Sequence, residues 1–417
     1  MHTEEPEIVV EHRAELGYLL TEAAEIEHGL MCCYLYAAYS LKDRTEPGLS
    51  PEEADAVERF REVIVDVARD EMTHLALVSN LLSAIGMKPH WRRANFPVAP
   101  GYHPAGVVVS LAPFDRATLD HFLYLERPEG MALPDGDGFV RARTYRRQLA
   151  LGRLVPSAQD YQTVGHLYRG IRAGLEQLSV RFGESGLFCG DVRGQIGPPV
   201  LEMRGLAPVV DLASALAAVD TIVTQGEGSD GHLEGSHYHR FLSVRDELDA
   251  RCRDNPHFVP AHRAARNPVM RIPPTPDGLV WVYAEPAATV LDLANAVYSL
   301  MLNSLEILFG QPHAADLQET LVTLPLTCMR ALAPLARRLC RLPATDDADG
   351  PRAGMTFTIS RSHHAFPDVP RGLGLLAEQL RLLLRGYQHA ELVGPEFESG
   401  RAGFRALADR LEAEIPV

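Results

Sequence analysis

Two long amphipathic stripes near the start of the chain carry ionisable residues at positions that should be buried. One stripe places Glu27 between Ala24 and Met31, and the other places Glu71 and His74 among valines. Apolar residues recur every three or four positions in both, which is the period of one helical face. Burial of an unpaired carboxylate strongly destabilises a fold. The chain must therefore pack helices in which these acids are paired, protonated or bound to a metal.

Helical periodicity continues along most of the chain. Ser50, Pro51 and the two glutamates that follow form a typical helix N-terminus, and Gly86 is a suitable end for the same helix. Prolines and glycines between 87 and 157 predict a long crossover with a short strand at 107–111. The remaining predicted helices cover 117–126, 157–182, a segment ending near Thr224, 234–248, 287–309, 316–342 and 373–390.

Composition places the chain among ordinary globular proteins and suggests its division. It has 417 residues, of which 46% are hydrophobic and 23% charged, enough for more than one core. The proline-rich segment 256–285 predicts a linker. We therefore expect a first domain over 1–255 and a helical C-terminal region over 286–417.

The net charge limits the kinds of molecule that the protein can bind. The formal net charge of −15 disfavours nucleic acid and anionic membrane surfaces, since both repel an acidic protein. The apolar stretch 278–309 is interrupted by acids and cannot span a bilayer. The acidic start lacks a signal-peptide pattern, and the six cysteines form no CxxC pair. These features predict a cytoplasmic protein with reduced thiols and no membrane or nucleic-acid partner.

The acids recur in a spacing typical of metal-binding helix bundles. Glu71 and His74, like Glu234 and His237, form Glu-x-x-His, which puts both side chains on one helical face. Bundles that hold two iron or manganese ions take one such motif from each of two helices and a lone glutamate from each of the others. Glu27 would be one lone glutamate.

The remaining helix offers two candidate ligands. Glu176 shares a face with Arg172, as expected of an exposed ion pair. His166 lies beside Gly170 and Ala173, small residues that would leave room for a metal ion. We therefore favour His166, and the predicted ligand set is Glu27, Glu71, His74, His166, Glu234 and His237.

Residues 15–250 resemble the ferritin-like domain of the iminophenyl-pyruvate dimer synthases. The matching stretches are EIEHGLMCCYLYAAYSL at 25–41, DEMTHLALVSNLLSAIGMKP at 70–89, HFLYLERPE at 121–129, TVGHLYRGI at 163–171, and VTQGEG with EGSHYHRF between 223 and 241. The resemblance implies a mainly α fold, a ferritin-like four-helix bundle with a long crossover and a helical C-terminal extension. It also implies that the glutamates and histidines of the two Glu-x-x-His motifs, together with Glu27, are ligands. The family usually has glutamate at the position of His166.

The expected function is that of a non-haem di-iron oxidase or oxygenase, with two iron ions or, alternatively, manganese. It would use O₂ or peroxide on a small, amino-acid-derived substrate of secondary metabolism. Two alternatives stay open: a peroxide-consuming manganese or iron enzyme, and a metal-binding structural or partner subunit. The C-terminal helices could cover the site or form the interface of a homodimer. Tyr34, Glu126 and Tyr168 are possible substrate contacts, and the sequence does not distinguish among them.

A glycine-rich segment at 226–231 fits GxGxxG, the pattern of dinucleotide-binding loops. That reading requires a strand immediately before the glycines. The preceding segment has helical periodicity instead. A nucleotide cofactor is therefore not expected.

Overall fold

The computed structural model describes residues 7–99, 102–103, 107–139, 159–226, 234–273, 278–310, 312–360 and 369–414. This part of the chain is mostly α-helical. Its helices are α1 (Arg13–Ser40), α2 (Pro51–Ala84), α3 (Arg116–Leu125), α4 (Val164–Phe182), α5 (Glu184–Leu187), α6 (Leu212–Gly226), α7 (His237–Asp254), α8 (Ala287–Leu308), α9 (Ala315–Leu339), α10 (Val369–His389) and α11 (Pro395–Glu414). A short 3₁₀ helix covers Val192–Gly194, and two parallel strands pair β1 (Pro268–Val269) with β2 (Val280–Trp281). None of the described helices is both long and apolar enough to cross a membrane.

The chain forms two compact units. The first contains residues up to His90 together with Val98–Ser110 and Phe114–Ala261, and the second contains Trp91–Pro97, Leu111–Pro113 and His262–Val417. The change of unit after Ala261 falls inside the segment 256–285, which the sequence analysis treats as a linker. The division into domains over 1–255 and 286–417 stays a prediction.

Two unbroken antiparallel helices form one half of the bundle in the first unit. Gly17, near the start of α1, leaves no room for a Cβ because Met87, just beyond α2, packs against it. At the opposite end, Nη2 of Arg61 in α2 donates to the carbonyl of Leu41, 3.2 Å away. The long helices α1 and α2 therefore lie side by side along their lengths.

The third bundle helix is built from two half-helices, α3 and α4. The backbone N–H of Phe114, just before α3, donates to Oγ of Ser40 at the end of α1, 2.8 Å away. The guanidinium of Arg13, at the start of α1, lies 4.5 Å from the ring centre of Phe182 at the end of α4. Thus α3 packs along the second half of α1 and α4 along its first half, and both run antiparallel to α1. The chain between α2 and α3, described at 85–99, 102–103 and 107–115, leads from the end of α2 to the start of α3.

The fourth bundle helix is also divided, into α6 and α7. Gln225, at the end of α6, contacts His74 in the middle of α2. Asn255, just after α7, donates to Glu53 at the start of α2, 2.7 Å away. These half-helices therefore run antiparallel to α2. The result is a four-helix bundle in which two helices are interrupted at mid-height.

Side chains cap the helix ends that these interruptions create. A free helix end leaves backbone groups without partners, which is costly inside a protein. Oγ1 of Thr163 accepts from the N–H of His166 at the start of α4, and Oγ of Ser236 accepts from the N–H of His239 at the start of α7. Serine and threonine are favoured at this position for that reason.

The structure confirms several predicted elements and corrects others. The helix at Pro51 begins as expected, with Oγ of Ser50 accepting from the N–H of Glu53, and the short helix predicted at 117–126 is α3. The strand predicted at 107–111 does not form; the described segment there has no strand partner. The helix predicted from 234 begins only at His237. The last helix, α11, was missing from the prediction.

In the second unit, α8 packs on α9 and α10, and α11 packs on α9 and α10. The buried guanidinium of Arg93 donates to the hydroxyl of Tyr298 and to the carbonyl of Phe357, at 3.0 and 2.8 Å. The same group lies 4.1 Å from the ring centre of Phe96. An arginine buried in this way is satisfied by hydrogen bonds and ring contact together.

Three aromatic rings form the core between α1, α3 and α7. The ring centres of Tyr34, Phe122 and Phe241 lie 4.6 to 5.2 Å apart. Truncation of Phe122 to alanine should lower the free energy of unfolding by about 3–5 kcal/mol, because it leaves a cavity that the neighbours cannot fill. Chemical denaturation followed by circular dichroism measures this. Val180→Ala, on an exposed face of α4, should change stability by less than about 0.5 kcal/mol; equal effects would contradict the packing described.

Candidate metal centre

Glu71 occupies the centre of a buried cluster of acids and histidines. One of its carboxylate oxygens lies 3.3 Å from Nδ1 of His74, and the other lies 3.0 Å from Nδ1 of His237. The two imidazole rings are stacked, with centres 5.4 Å apart. A single carboxylate thus faces two histidines from different helices.

The cluster comprises two overlapping groups of potential metal ligands within the described residues. Glu27, Glu71 and His74 form one, and Glu71, Glu126 and His237 form the other; in each, the ligand atoms lie within 4.8 Å of one another. These residues come from α1, α2, the end of α3 and the start of α7. Each group offers two carboxylates and one imidazole, and Glu71 is common to both.

Burial makes the protonation of this cluster unusual. Burial, together with the negative charge of Glu71, raises the pKa of Glu27. Burial also opposes ionisation of Glu71, but hydrogen bonds with Glu27, His237 and His74 hold its pKa well below the ordinary value. Burial alone would lower the pKa of His74, yet its contacts with Glu27 and Glu71 raise it to about 10. Without a metal, the cluster therefore holds protons that a cation would have to displace.

Two buried tyrosines donate hydrogen bonds to the outer carboxylates. The hydroxyl of Tyr168 lies 2.5 Å from Glu27, and the hydroxyl of Tyr34 donates to Glu126. Burial, and then the adjacent carboxylate, raise the pKa of each phenol well above its usual range. Both tyrosines are therefore neutral donors that orient Glu27 and Glu126.

The outward-facing nitrogens of the two histidines have different partners. Nε2 of His237 lies 3.3 Å from the carboxylate of Asp70, which also accepts from Arg240 at 2.7 Å. Nε2 of His74 lies 2.9 Å from the amide oxygen of Gln225. In metal sites such partners fix the orientation of the ring and leave the other nitrogen free to bind. Here Nδ1 of each histidine faces the carboxylates.

A small cavity adjoins the cluster. It is lined by the acids Glu27, Glu71 and Glu126, by His74, and by side chains and glycines of α1, α3, α4 and α6. Those further lining residues are Leu30, Leu125, Val164, Gly165, Tyr168, Ile222, Val223 and Gly226. The cavity is therefore polar where the cluster forms its wall and largely apolar elsewhere.

Four of the six predicted ligands lie together: Glu27, Glu71, His74 and His237. Glu234 is exposed and precedes α7. Because the helix begins at His237, the i, i+3 spacing of Glu234 and His237 does not put them on one helical face. Glu234 is not in either ligand group, and its role as a ligand stays a prediction that this geometry does not support.

His166 is buried in the first turn of α4 but belongs to neither ligand group. The small residues Gly170 and Ala173 predict space for a metal ion beside His166. In the structure a Cβ at Gly170 would lie 2.7 Å from Ile8, so the N-terminal segment fills that space. Ala173 is exposed. The packing thus removes the reason for choosing His166, and its role also stays a prediction. Glu176 is exposed and paired with Arg172, as expected.

The acid that the sequence analysis did not place among the ligands is Glu126. It is the residue immediately after α3, and only 6% of it is exposed. A carboxylate directly after the apolar run Phe122–Leu125 was the available signal. It was missed because the third bundle helix is not continuous: the end of α3, rather than α4, delivers the acid to the cluster.

Comparisons with known proteins agree with this bundle. The family model described as Ferritin-like matches residues 20–246, more than half of the chain. This protein belongs to the ferritin-like family. The matched segment contains every residue of the two ligand groups.

Two curated relatives are similar over most of the chain. A dichlorochromopyrrolate synthase from Lentzea aerocolonigenes is 28% identical, with 97% of this chain and 41% of that protein aligned. A 2-imino-3-(indol-3-yl)propanoate dimerase from Chromobacterium violaceum is 27% identical, with 90% and 37% aligned. The chain thus spans about two fifths of the length of these relatives. A solved ferritin like protein from Caulobacter vibrioides has a TM-score of 0.48 and 21% identity, with 85% of this chain and 100% of that chain aligned.

Metal binding to this cluster should release protons. His74 keeps its proton up to a pKa of about 10 in the metal-free cluster, and a metal binds only the neutral imidazole, so affinity should rise with pH between roughly 6 and 9. Calorimetric titration with Mn²⁺ in buffers of different ionisation enthalpy measures the protons released. His74→Ala should reduce that number by about one per chain. Binding without proton release would contradict the protonation described.

Proposed function

We propose that the protein is a non-haem oxidoreductase with a dinuclear metal centre, most simply two iron ions. The observation that supports this best is the position of Glu71, whose two oxygens face two histidines. Ferritin-like bundles that bind two iron or manganese ions use glutamates and histidines from facing helices in this way. The donor set of carboxylate oxygens and imidazole nitrogens suits both metals.

The proposed ligands are Glu27, Glu71, His74, Glu126 and His237. This set keeps four of the residues predicted from the sequence, adds Glu126, and omits Glu234 and His166. Two ions in this cluster would supply the reaction with O₂ or peroxide and the oxidation of a small organic molecule. Three carboxylates against two divalent ions leave one positive charge, so an anionic or electron-rich group would be attracted to the centre.

The protein's own residues would orient the ligands, exclude water and receive the substrate. Tyr168 and Tyr34 hold Glu27 and Glu126 in place by hydrogen bonds. The apolar wall formed by Leu30, Ile222 and Val223 favours a small substrate with an apolar part. The reacting end would lie against the carboxylates, and the apolar wall would keep water away from it.

The two curated relatives support a substrate of secondary metabolism. One is named for the dimerisation of an indolyl imino acid and the other for the synthesis of dichlorochromopyrrolate. We propose a small, amino-acid-derived substrate for this chain as well, acted on in the cytoplasm with O₂ or peroxide. We do not propose the dimerisation reaction for this chain, because the chain covers only about two fifths of each relative.

Metal content per chain tests this proposal. Protein produced with both iron and manganese supplied should contain about two ions per chain by elemental analysis. Glu71→Ala should lose both ions, because both groups share this residue, whereas Glu126→Ala should lose about one. Glu176→Ala is the matched control, since it removes an exposed glutamate and should keep both ions. Circular dichroism verifies that the variants stay helical.

Metal content, peroxide consumption and the rate of Fe(II) oxidation together decide among the alternatives. Loss of metal from Glu234→Ala and retention in Glu126→Ala would favour the ligand set predicted from the sequence. Manganese in preference to iron, with peroxide consumed without an organic substrate, would favour a peroxide-consuming enzyme. Bound Fe(II) that oxidises slowly in air would indicate a structural role. A helical protein without metal would overturn the proposal.

A further inference from the structure

The two halves of the cluster offer the same ligands but are supported differently. On one side, Nε2 of His237 lies 3.3 Å from Oδ2 of Asp70, and the same oxygen accepts from Arg240 at 2.7 Å. On the other side, His74 faces the neutral amide oxygen of Gln225 at 2.9 Å. A carboxylate acceptor makes an imidazole a stronger metal ligand, and removal of such a partner typically weakens metal affinity 10- to 100-fold. An amide oxygen carries no charge and gives less of this effect.

Arg240 holds Asp70 in place without contact to the ligands. Its two terminal nitrogens each lie 2.7 Å from an acid of α2, one from Asp70 and the other from Asp66. Asp70 is one residue before Glu71, so the long helix fixes both the shared ligand and the partner of His237. Asp66 shares the arginine, whereas His237 faces Asp70. The two acids therefore form a natural pair of test and control positions.

The cavity reaches the two halves unequally. Glu27, Glu71 and His74, the whole of one ligand group, line its wall; of the other group Glu71 and Glu126 line it, whereas His237 does not and is fully buried. The residues that line the cavity on the side of His74 come from α4 and α6, which begin and end at this level. An ion held by Glu27, Glu71 and His74 would therefore have all of these ligands at the cavity wall, while an ion held by His237 would have that ligand away from the cavity.

We infer that the two metal positions are inequivalent, with a resident ion at His237 supported by Asp70 and an exchangeable ion at His74 facing the cavity. This inference rests on the proposed function. It makes Asp70 and Gln225 positioning residues that act through the histidines. The exchangeable position is then the one where O₂, peroxide or a substrate meets the centre.

Anaerobic titration with Co²⁺, followed by its visible absorption, tests the inference. Wild-type protein should bind two ions in two steps, with the first at least about tenfold tighter. Asp70→Asn should weaken the first step about 10- to 100-fold and leave the second nearly unchanged. Asp66→Asn changes an acid that pairs with Arg240 and Arg69 rather than with His237, and it should change neither step appreciably. Gln225→Glu should strengthen the second step, because it gives His74 a carboxylate partner.

The gain expected for Gln225→Glu keeps the test informative should Asp70→Asn fold poorly. Two ions bound in one step by wild-type protein would overturn the inequivalence and leave the dinuclear centre standing. Equal weakening by Asp66→Asn and Asp70→Asn would also overturn it, since the effect would then belong to Arg240. Absence of binding in wild-type protein would instead overturn the proposed function. A chelator challenge gives a second measure: one of the two Co²⁺ ions should leave much faster than the other.

Discussion

Burial of Glu71 between two histidines is the constraint on which the bundle depends. A carboxylate at that depth is tolerable only with partners that offset its charge or donate to it. Beside His74 on α2 itself, those partners are His237 on α7 and Glu27 on α1. Each contact ties a different part of the bundle to the middle of α2. The cluster therefore fixes the register of the helices as well as offering potential ligands.

The interruptions of the third and fourth helices are what complete the site. A continuous helix would present one residue every three or four positions to the centre. Where α3 ends and α4 begins, Glu126 enters from the end of one half-helix and Tyr168 from the first turns of the other. Where α6 ends and α7 begins, Gln225 and His237 enter in the same way. The capped ends thus gather more functional groups at one level than unbroken helices could.

Much of the fold and part of the site could be read from the sequence. Glu27, Glu71 and His74 were identifiable because α1 and α2 are long and unbroken, so that spacing along the chain equals position on a face. The same rule favours Glu234 and His166, whose roles as ligands stay predictions: the helix begins three residues after Glu234, and Ile8 fills the space beside Gly170. Glu126 was not predicted as part of the cluster, because it follows the end of a helix and belongs to no periodic stripe.

The sequence by itself determined that the chain folds as packed helices and that acids and histidines are buried within them, since periodicity and hydrophobicity are local properties. It also determined the family, through stretches that keep their order along the chain. Only the tertiary structure decided which acids meet, that Glu71 is shared, and that the two histidines have unlike partners in Asp70 and Gln225. These facts depend on where separate helices end and how they pack, and contacts between residues far apart in the chain leave no periodic signal in one sequence.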